Sequence, residues 1–377
     1  MAHWGIGSFC VDGRYIQDHF PGIGRYTYNL IDALARVAPD ERFVVFHNPA
    51  LRNTRYDIAA LARHPNIELR QVGIATFSLA EQYRLPFAIR RSQFAIFHSP
   101  YYIKPYWTPV RSIVTIFDLI PLRAPDHSLG WRTRFLFRWT ASLAARTTAR
   151  IIVPSAATKE DLISILGVPR DKIDTIPLAA DAHFAPQTES EKTRVQEKYD
   201  LPRGYVLSVG INKPHKNQNA LIEAWARVET DAALVIAGAW DTRYASAIGR
   251  PASVVKFIPN VDDCDLPALY SGASVFVFPS LYEGFGLPPL EAMACGAPVI
   301  CSNAASLPEV VGDAALLVNP RDIDEIASAI ERVLTDAALR GELRSRGIAQ
   351  AAKFSWERTA RETLKVYKQL ANVPIFQ

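Results

Sequence analysis

The feature that most constrains this chain is a repeated alternation. Short, continuously apolar, β-branched runs take turns with stretches of helical periodicity along most of its 377 residues. FVVFH (43–47), SIVTIFD (112–118) and RIIVPS (150–155) are such runs in the first half. YVLSVG (205–210), ALVIAG (233–238), SVVKFIP (253–259), VFVFPS (275–280), PVICSN (298–303) and ALLVN (315–319) follow in the second. Runs of this length with little in–out alternation read as strands covered on both faces, as in parallel sheets. Between them, Ile23, Thr27, Leu30, Ile31, Leu34 and Val37 recur at helical spacing, as do Leu221, Ala224, Trp225 and Val228. The pattern predicts an α/β fold of right-handed βαβ units.

A chain of this length suits two domains. The polar, proline-bounded stretch 181–203 reads as a linker between a first domain, 1–180, and a second, 204–355. The closing FSWERTARETLKVYKQL reads as a helix with Ser355 at its N-cap and Trp356, Ala360, Leu364, Tyr367 and Leu370 on its apolar side. No apolar run approaches the roughly 20 residues that cross a bilayer, and the N-terminus shows no secretory pattern, so a cytoplasmic protein is expected. Cys10, Cys264, Cys295 and Cys301 have no metal-ligand spacing and read as reduced thiols.

Charge is unevenly distributed. Residues 1–180 carry 22 Lys and Arg against 14 Asp and Glu, whereas the remainder carries 20 against 24. A basic first half suits phosphates or an anionic membrane surface. No nucleic-acid motif accompanies it, so no nucleic-acid partner is expected. WRTRFLFRWTASLAARTTAR (131–150) is aromatic and Arg-rich without one acid. It is a candidate for peripheral contact with the inner membrane face, against the alternative of an ordinary helix with a solvated basic side.

The most informative stretch is PSLYEGFGLPPLEAMACGAPVICSN (279–303). It begins where a buried strand ends. Gly284, Phe285 and Gly286 form a turn whose glycines let the backbone approach a ligand; with Leu287 they are candidate donor-binding residues, and Pro288 is expected at the first position of the short helix that follows. Gly296 and Pro298 close that helix. A helix N-terminus at the carboxyl ends of parallel strands favours a pyrophosphate. Glu283 and Glu291, eight residues apart, frame it. Acids beside a phosphate are costly unless they bind hydroxyls, which a sugar for Glu283 and a ribose for Glu291 would supply.

This string resembles the E-x7-E region of the retaining glycosyltransferases of family 4 (glycosyl transferases group 1), and the chain most resembles their bacterial polysaccharide mannosyltransferases. PGIGRYTYNLIDAL, FHSPYYIKP, VTIFDLIPL, RIIVPSAATKEDL, SVGINKPHKN, LYSGASVFVFPS and FSWERTARETL fall in family order over nearly the whole chain. The resemblance implies the GT-B fold, two Rossmann-like domains facing a cleft, with segment 356–377 packing back on the first. It implies a nucleotide-sugar donor, GDP-mannose favoured and UDP-sugars next, and a saccharide or polyprenyl-pyrophosphate-linked acceptor. Lys216 matches the lysine that contacts the donor pyrophosphate, and a fixed cation there stabilises the departing phosphate. Asn212, His215 and Ile258 fall at further donor-site positions, Asn212 and His215 where many relatives carry arginine. Gly22, Ile23, Gly24 and Arg25 match a flexible glycine loop before a helix.

The chain departs from the family where relatives carry a histidine beside the transferred sugar: here Phe117 precedes Asp118. Asp118 is a candidate for orienting acceptor or donor, or a strand-end acid capping the next turn. His98, after the strand-like FAIF, is a second cleft candidate, or a satisfied structural histidine. Front-face displacement in such an enzyme needs no paired carboxylates in glycosidase fashion, and no metal or other cofactor is expected. Asp262, Asp263 and Asp265 read as acids opening a helix rather than as metal ligands. A non-catalytic sugar-nucleotide binder remains the alternative, and an epimerase or phosphorylase of the same architecture a second one.

Overall fold

The computed structural model describes residues 8–92, 94–123, 130–247 and 255–372. The first two residues of SVVKFIP and the last five of segment 356–377 lie outside them. The chain divides into two compact units, one of residues 1–122, 128–178 and 355–377, the other of 123–127 and 179–354. Strands run β1 (Ser8–Asp12), β2 (Arg42–His47), β3 (Ile67–Gln71), β4 (Ile96–Ser99), β5 (Arg111–Thr115), β6 (Arg150–Val153), β7 (Ile173–Thr175), β8 (Val206–Val209), β9 (Leu234–Ala237), β10 (Val255–Ile258), β11 (Val275–Phe278), β12 (Val299–Ser302) and β13 (Leu316–Val318). The helices are α1 (Pro21–Val37), α2 (Leu79–Arg90), α3 (Ile120–Arg123), α4 (Trp131–Thr147), α5 (Ala156–Leu166), α6 (Glu189–Lys198), α7 (Gln218–Trp225), α8 (Leu266–Ser271), α9 (Leu287–Ala294), α10 (Leu307–Val311), α11 (Ile323–Thr335), α12 (Ala337–Ala351) and α13 (Trp356–Ala371).

The first unit holds a parallel sheet in the order β3-β2-β1-β4-β5-β6-β7. Its inner strands β2, β1, β4, β5 and β6 are largely buried on both faces, which is why most of them read as unbroken apolar runs, whereas the edge strands β3 and β7 are half-exposed. Cys10, Val44 and Phe97 pack under Leu85 and Ile89 of α2, and Val114 and Ile151 under Ala145 of α4 and Leu162 of α5. The opposite face receives α1 and α13. Phe9 meets Tyr367 with ring centroids 5.1 Å apart, and Tyr26 of α1 is hydrogen-bonded to Thr115 at 2.9 Å. The α13 N-terminus is capped as its sequence indicates, Ser355 accepting from the Arg358 N–H. Thr359 Oγ1 donates to the Pro177 carbonyl at 2.7 Å.

The second unit holds the parallel order β10-β9-β8-β11-β12-β13. Val206, Ile236, Val277 and Ile300 form a core with Leu221 of α7 and Ile326 and Ile330 of α11. The stretch 181–203 is not a bare linker. It contains α6, capped by Thr188, and α6 is tied to the body by Asp265. That carboxylate accepts from Arg194 at 2.8 Å, Lys198 at 2.6 Å and the Tyr199 hydroxyl at 2.8 Å. Burial alone would raise the Asp265 pKa, but its hydrogen-bond donors, Lys198 foremost, outweigh it and hold the carboxyl at about 2. Asp265 therefore precedes α8 without capping it through its side chain.

At the carboxyl end of β1, Arg14 is fully buried between two carboxylates, 2.6 Å from Asp12 and 2.6 Å from Glu81. It also donates to the Ile74 carbonyl. One guanidinium facing two acids leaves an unbalanced negative charge. Burial pushes the Glu81 pKa up to about 7, against the opposing pull of Arg14. An unfolded glutamate releases its proton near pH 4.3, so between about pH 4.3 and 7 the unfolded chain binds fewer protons than the folded one. The stability contributed by this group is therefore lost as pH rises through that window. Thermal unfolding followed from pH 4.5 to 7.5 should show a declining component that Glu81→Gln flattens; an unchanged profile in the variant would refute the assignment.

Candidate active site

The carboxyl ends of β8, β9 and β11 bring the candidate residues of the second unit together. Gly210 follows β8 and Gly238 follows β9, with φ of 157° and 145°. A Cβ on Gly238 would stand 2.5 Å from the Gly210 carbonyl oxygen, so only glycine lets these two loops meet. Beside them opens a pocket of about 500 Å³ lined by Gly210, Asn212, Gln218, Gly238, Trp240, Phe257 and Pro259. Trp240 and Phe257 meet edge to face, 5.4 Å between centroids. Gln218 Nε2 donates to the Gly210 carbonyl at 3.0 Å, while its buried Oε1 has no hydrogen-bond partner among the described residues.

Lys216 ends a short 3-10 turn, Pro214–Lys216, and its stem passes 3.6 Å from the Gly210 Cβ position. Its ammonium lies 2.7 Å from Glu283 Oε1 and 4.9 Å from the centre of the Phe278 ring. Ser280 Oγ is 2.5 Å from the same carboxylate oxygen and 2.9 Å from the His215 carbonyl. That carbonyl also accepts from Leu281 N at 2.7 Å. Ser306 Oγ is within hydrogen-bond reach of the Glu283 and Phe285 carbonyls, at 2.9 and 2.5 Å. The loop from Glu283 to Gly286 is thus held from below by two serines. Gly286, at φ 128°, completes it where a Cβ would strike Leu307 at 2.7 Å.

Helix α9 starts at Leu287, so Pro288 and Pro289 are its second and third residues. Proline has no N–H, and two of the donors expected of a helix N-terminus are missing. The groups left at this point that could face an anion are the glycine-loop amides and Lys216. Glu291 lies deeper in α9 than a first-turn acid. It is buried and accepts from the Tyr270 hydroxyl at 3.2 Å. A buried carboxylate with a tyrosine donor is a built hydrogen-bonding group rather than a solvated one.

Other candidates are placed differently from expectation. Asn212 is engaged with backbone, donating to the Asp241 carbonyl and accepting from Asp241 N; it braces the pocket rim. His215 is buried beneath the loop and contributes its carbonyl there. Ile258 is buried at the end of β10, and its neighbours Phe257 and Pro259 line the pocket instead. Ser280, Ser306, Tyr270, Gln218 and Trp240 were not singled out from the sequence. Of these, Tyr270 and Ser280 lie within the quoted LYSGASVFVFPS string, Ser280 three residues before Glu283.

In the first unit, Gly22, Ile23, Gly24 and Arg25 form no flexible loop. They are the opening turns of α1 behind Pro21 at its first position. Gly24 is needed for close packing, since a Cβ would approach the Tyr15 carbonyl at 3.3 Å. Arg25 Nε lies 3.4 Å from the Tyr56 hydroxyl. His98 is withdrawn from any ligand. It is fully buried between the Tyr367 hydroxyl at 2.6 Å and Thr115 Oγ1 at 2.8 Å, and burial lowers its pKa to about 3. It is a neutral structural histidine joining α13 to the sheet. Asp118 caps the next turn, accepting from Ile120 N at 2.9 Å. It also borders a cavity of about 330 Å³ with Tyr101, Tyr102, Phe117, Pro121 and Phe137.

Two parallel-sheet Rossmann-like units, a C-terminal helix returned to the first sheet and a lysine–glutamate site at the strand ends of the second define a GT-B glycosyltransferase. The family is settled by sequence: residues 21–184 match Glycosyltransferase Family 4 and residues 189–354 match Glycosyl transferases group 1, and the chain belongs to this family. It is 32% identical to O-antigen chain mannosyltransferase B of Escherichia coli over 93% of this chain and 96% of that one. It is 35% identical to the serotype-specific mannosyltransferase WbdA of Escherichia coli over 70% of this chain, but spans 34% of that longer protein. Sucrose-phosphate synthase from Thermosynechococcus elongatus shares the fold with a TM-score of 0.75 at 22% identity, covering 97% of this chain and 99% of that chain.

The glycine contact between the strand-end loops can be broken by one methyl group. Gly238→Ala should push β9 away from Gly210, destabilise the protein by about 1–3 kcal/mol and lower Tm by several degrees. Differential scanning calorimetry measures this, and an unshifted Tm would show that the loops separate freely.

Proposed function

We infer that this enzyme transfers mannose from GDP-mannose to a saccharide acceptor during synthesis of a surface polysaccharide, with retention at the anomeric carbon. The observation that carries the reading is the Lys216–Glu283 pair, 2.7 Å apart, with the Lys216 stem against Gly210, which lines the 500 Å³ pocket. Its cation can balance a leaving diphosphate, its carboxylate can accept from sugar hydroxyls, and Trp240 and Phe257 give the pocket an aromatic lining for a base. The identity to two mannosyltransferases supports the choice of sugar.

In this mechanism the C1–oxygen bond to the β-phosphate breaks as negative charge grows on that phosphate. Lys216 and the amides of Gly284–Leu287 receive the charge. The acceptor oxygen forms its bond to C1 from the same face, and its proton passes to the departing phosphate oxygen. Glu283 orients the sugar and Glu291 the ribose. No step calls on a metal ion. Asp118 orients the acceptor through the aromatic cavity it borders. That acceptor is a saccharide carried on a polyprenyl pyrophosphate, and segment 131–150 brings the enzyme to the inner membrane surface. The support for this contact is the exposure of Trp131, Phe135 and Trp139 among arginines on α4.

The test is thermal stabilisation against GDP, UDP, ADP and their common sugars, with and without EDTA. GDP-mannose at about 100 times its Kd should add roughly 2.7 kcal/mol of stability, whatever the EDTA concentration. Glu291→Ala should abolish the shift, and Lys216→Ala should lower kcat by about 10²–10³-fold, as loss of a transition-state charge contact does. A shift with UDP-sugars alone would reassign the donor, and donor binding without turnover on any acceptor would leave a binding protein.

A further inference from the structure

Helix α2 was not identified from the sequence, and it exposes a stripe that a water-facing helix does not need. Leu79, Tyr83 and Phe87 follow at i, i+4 and i+8 and are 85%, 67% and 62% exposed. Their spacing puts them on one side, opposite the buried Leu85 and Ile89. Helix α4 exposes Trp131 (74%), Phe135 and Trp139 in the same way. Both helices cover the same face of the first sheet, so their outer sides are turned the same way.

The ground between them is continuous. Loop 100–110 is fastened to α2 through Gln82, which donates to the Lys104 carbonyl and accepts from Tyr106 N. It is fastened to α4 through Lys104 Nζ, 3.3 Å from Thr147 Oγ1. A run of rings joins the two helix starts: Phe77 to Tyr101, Tyr101 to Tyr102 and Tyr102 to Phe137, at 5.8, 4.2 and 4.9 Å between centroids. On the loop itself Trp107 is 67% exposed.

The two helices that carry these rings expose charge of one sign, with Asp118 bordering the cavity beside Tyr101, Tyr102 and Phe137. Arg84, Arg90 and Arg91 lie exposed on or beside α2, and Arg132, Arg134 and Arg138 on α4. The single acid of α2, Glu81, is buried against Arg14, and neither α4 nor loop 100–110 contains an acid. Arg91 lies over Phe87 at 5.6 Å and Arg132 over Trp131 at 5.4 Å. In a dry protein interface these guanidinium groups would each need an acidic partner. At a bilayer surface the rings enter the headgroup boundary while the arginines stay hydrated beside lipid phosphates.

We propose that α2, Trp107 and α4 form one membrane-docking face that takes an anionic phospholipid surface, both helices lying against it. The inference rests on the membrane reading of segment 131–150 and extends it to a second helix and a linking loop. Docking on two helices fixes the orientation of the sheet on the bilayer, which a single helix would leave free to roll.

The test is co-sedimentation of full-length protein with phosphatidylcholine vesicles containing or lacking about 30% phosphatidylglycerol, a probe composition that gives the surface a negative potential. Three variants are compared: Leu79→Ser with Tyr83→Ser and Phe87→Ser; Trp107→Ser; and Trp131→Ser with Phe135→Ser and Trp139→Ser. The wild type should bind anionic vesicles only, and weakly in 0.5 M salt. Each triple variant should lower partitioning at least tenfold and Trp107→Ser several-fold, with Tm and the nucleotide-induced shift retained to show intact folding. Loss in the α4 variant with full binding in the α2 variant would overturn the two-helix face and leave the 131–150 contact standing. No binding by the wild type would overturn both. A wild-type oligomer that the α2 variant converts to monomer in gel filtration, without loss of vesicle binding, would make this face a protein interface and also overturn the proposal.

Discussion

Both sheets are parallel and covered by helices on each side, and that constraint dictates where chemistry can occur. A strand buried on two faces can carry almost no charge, because each unpaired charge moved into the core costs several kcal/mol. Polar side chains are therefore pushed to the strand ends, and the loops after the carboxyl ends are where helix N-termini and glycine turns converge. In the second unit this yields Lys216, Ser280, Glu283 and the glycine turn within one small neighbourhood. In the first it yields the Asp12–Arg14–Glu81 cluster and the aromatic cavity beside Asp118.

The second-unit site is organised by hydrogen bonds that do not themselves touch a substrate. Ser280 and Ser306 hold the loop by its carbonyls and by the Glu283 side chain, and Tyr270 positions Glu291. The result is two carboxylates and one ammonium fixed before any ligand arrives, which is the arrangement preorganised electrostatic stabilisation requires. Pro288 and Pro289 remove helix-terminal donors that a phosphate would otherwise use. In the mechanism proposed for this site, a phosphate would therefore depend on a side-chain cation, Lys216, and on loop amides.

In the first unit, residues with catalytic credentials serve architecture. His98 bridges α13 and β5 as a neutral imidazole, and the glycines of PGIG start a helix that packs closely on the turn before it. The unit's unusual investment lies outside, in exposed rings and arginines on α2, α4 and the loop joining them. Buried helices of a doubly wound sheet normally turn a charged face of mixed sign to water; here the outward face is apolar and singly charged.

By itself the sequence determined the α/β class, because buried strands leave unbroken apolar runs, and it located the E-x7-E loop, because glycines, prolines and paired glutamates at fixed offsets are local signals. It also determined α1, α7 and the capped α13. It left β1, β3 and β7 unread, since SFCVD, IELRQ and IDT are short or carry polar residues that blur the pattern, and it turned the α6 segment into a linker because polarity alone does not distinguish a surface helix from a tether. What only the tertiary structure decided are relations between residues far apart in the chain: Lys216 meeting Glu283, Gly238 meeting Gly210, Tyr270 meeting Glu291, His98 closing on Tyr367, and α2 and α4 sharing one face. Pairings of this kind depend on strand order and helix packing, which the sum of many weak contacts sets and no single stretch of sequence encodes.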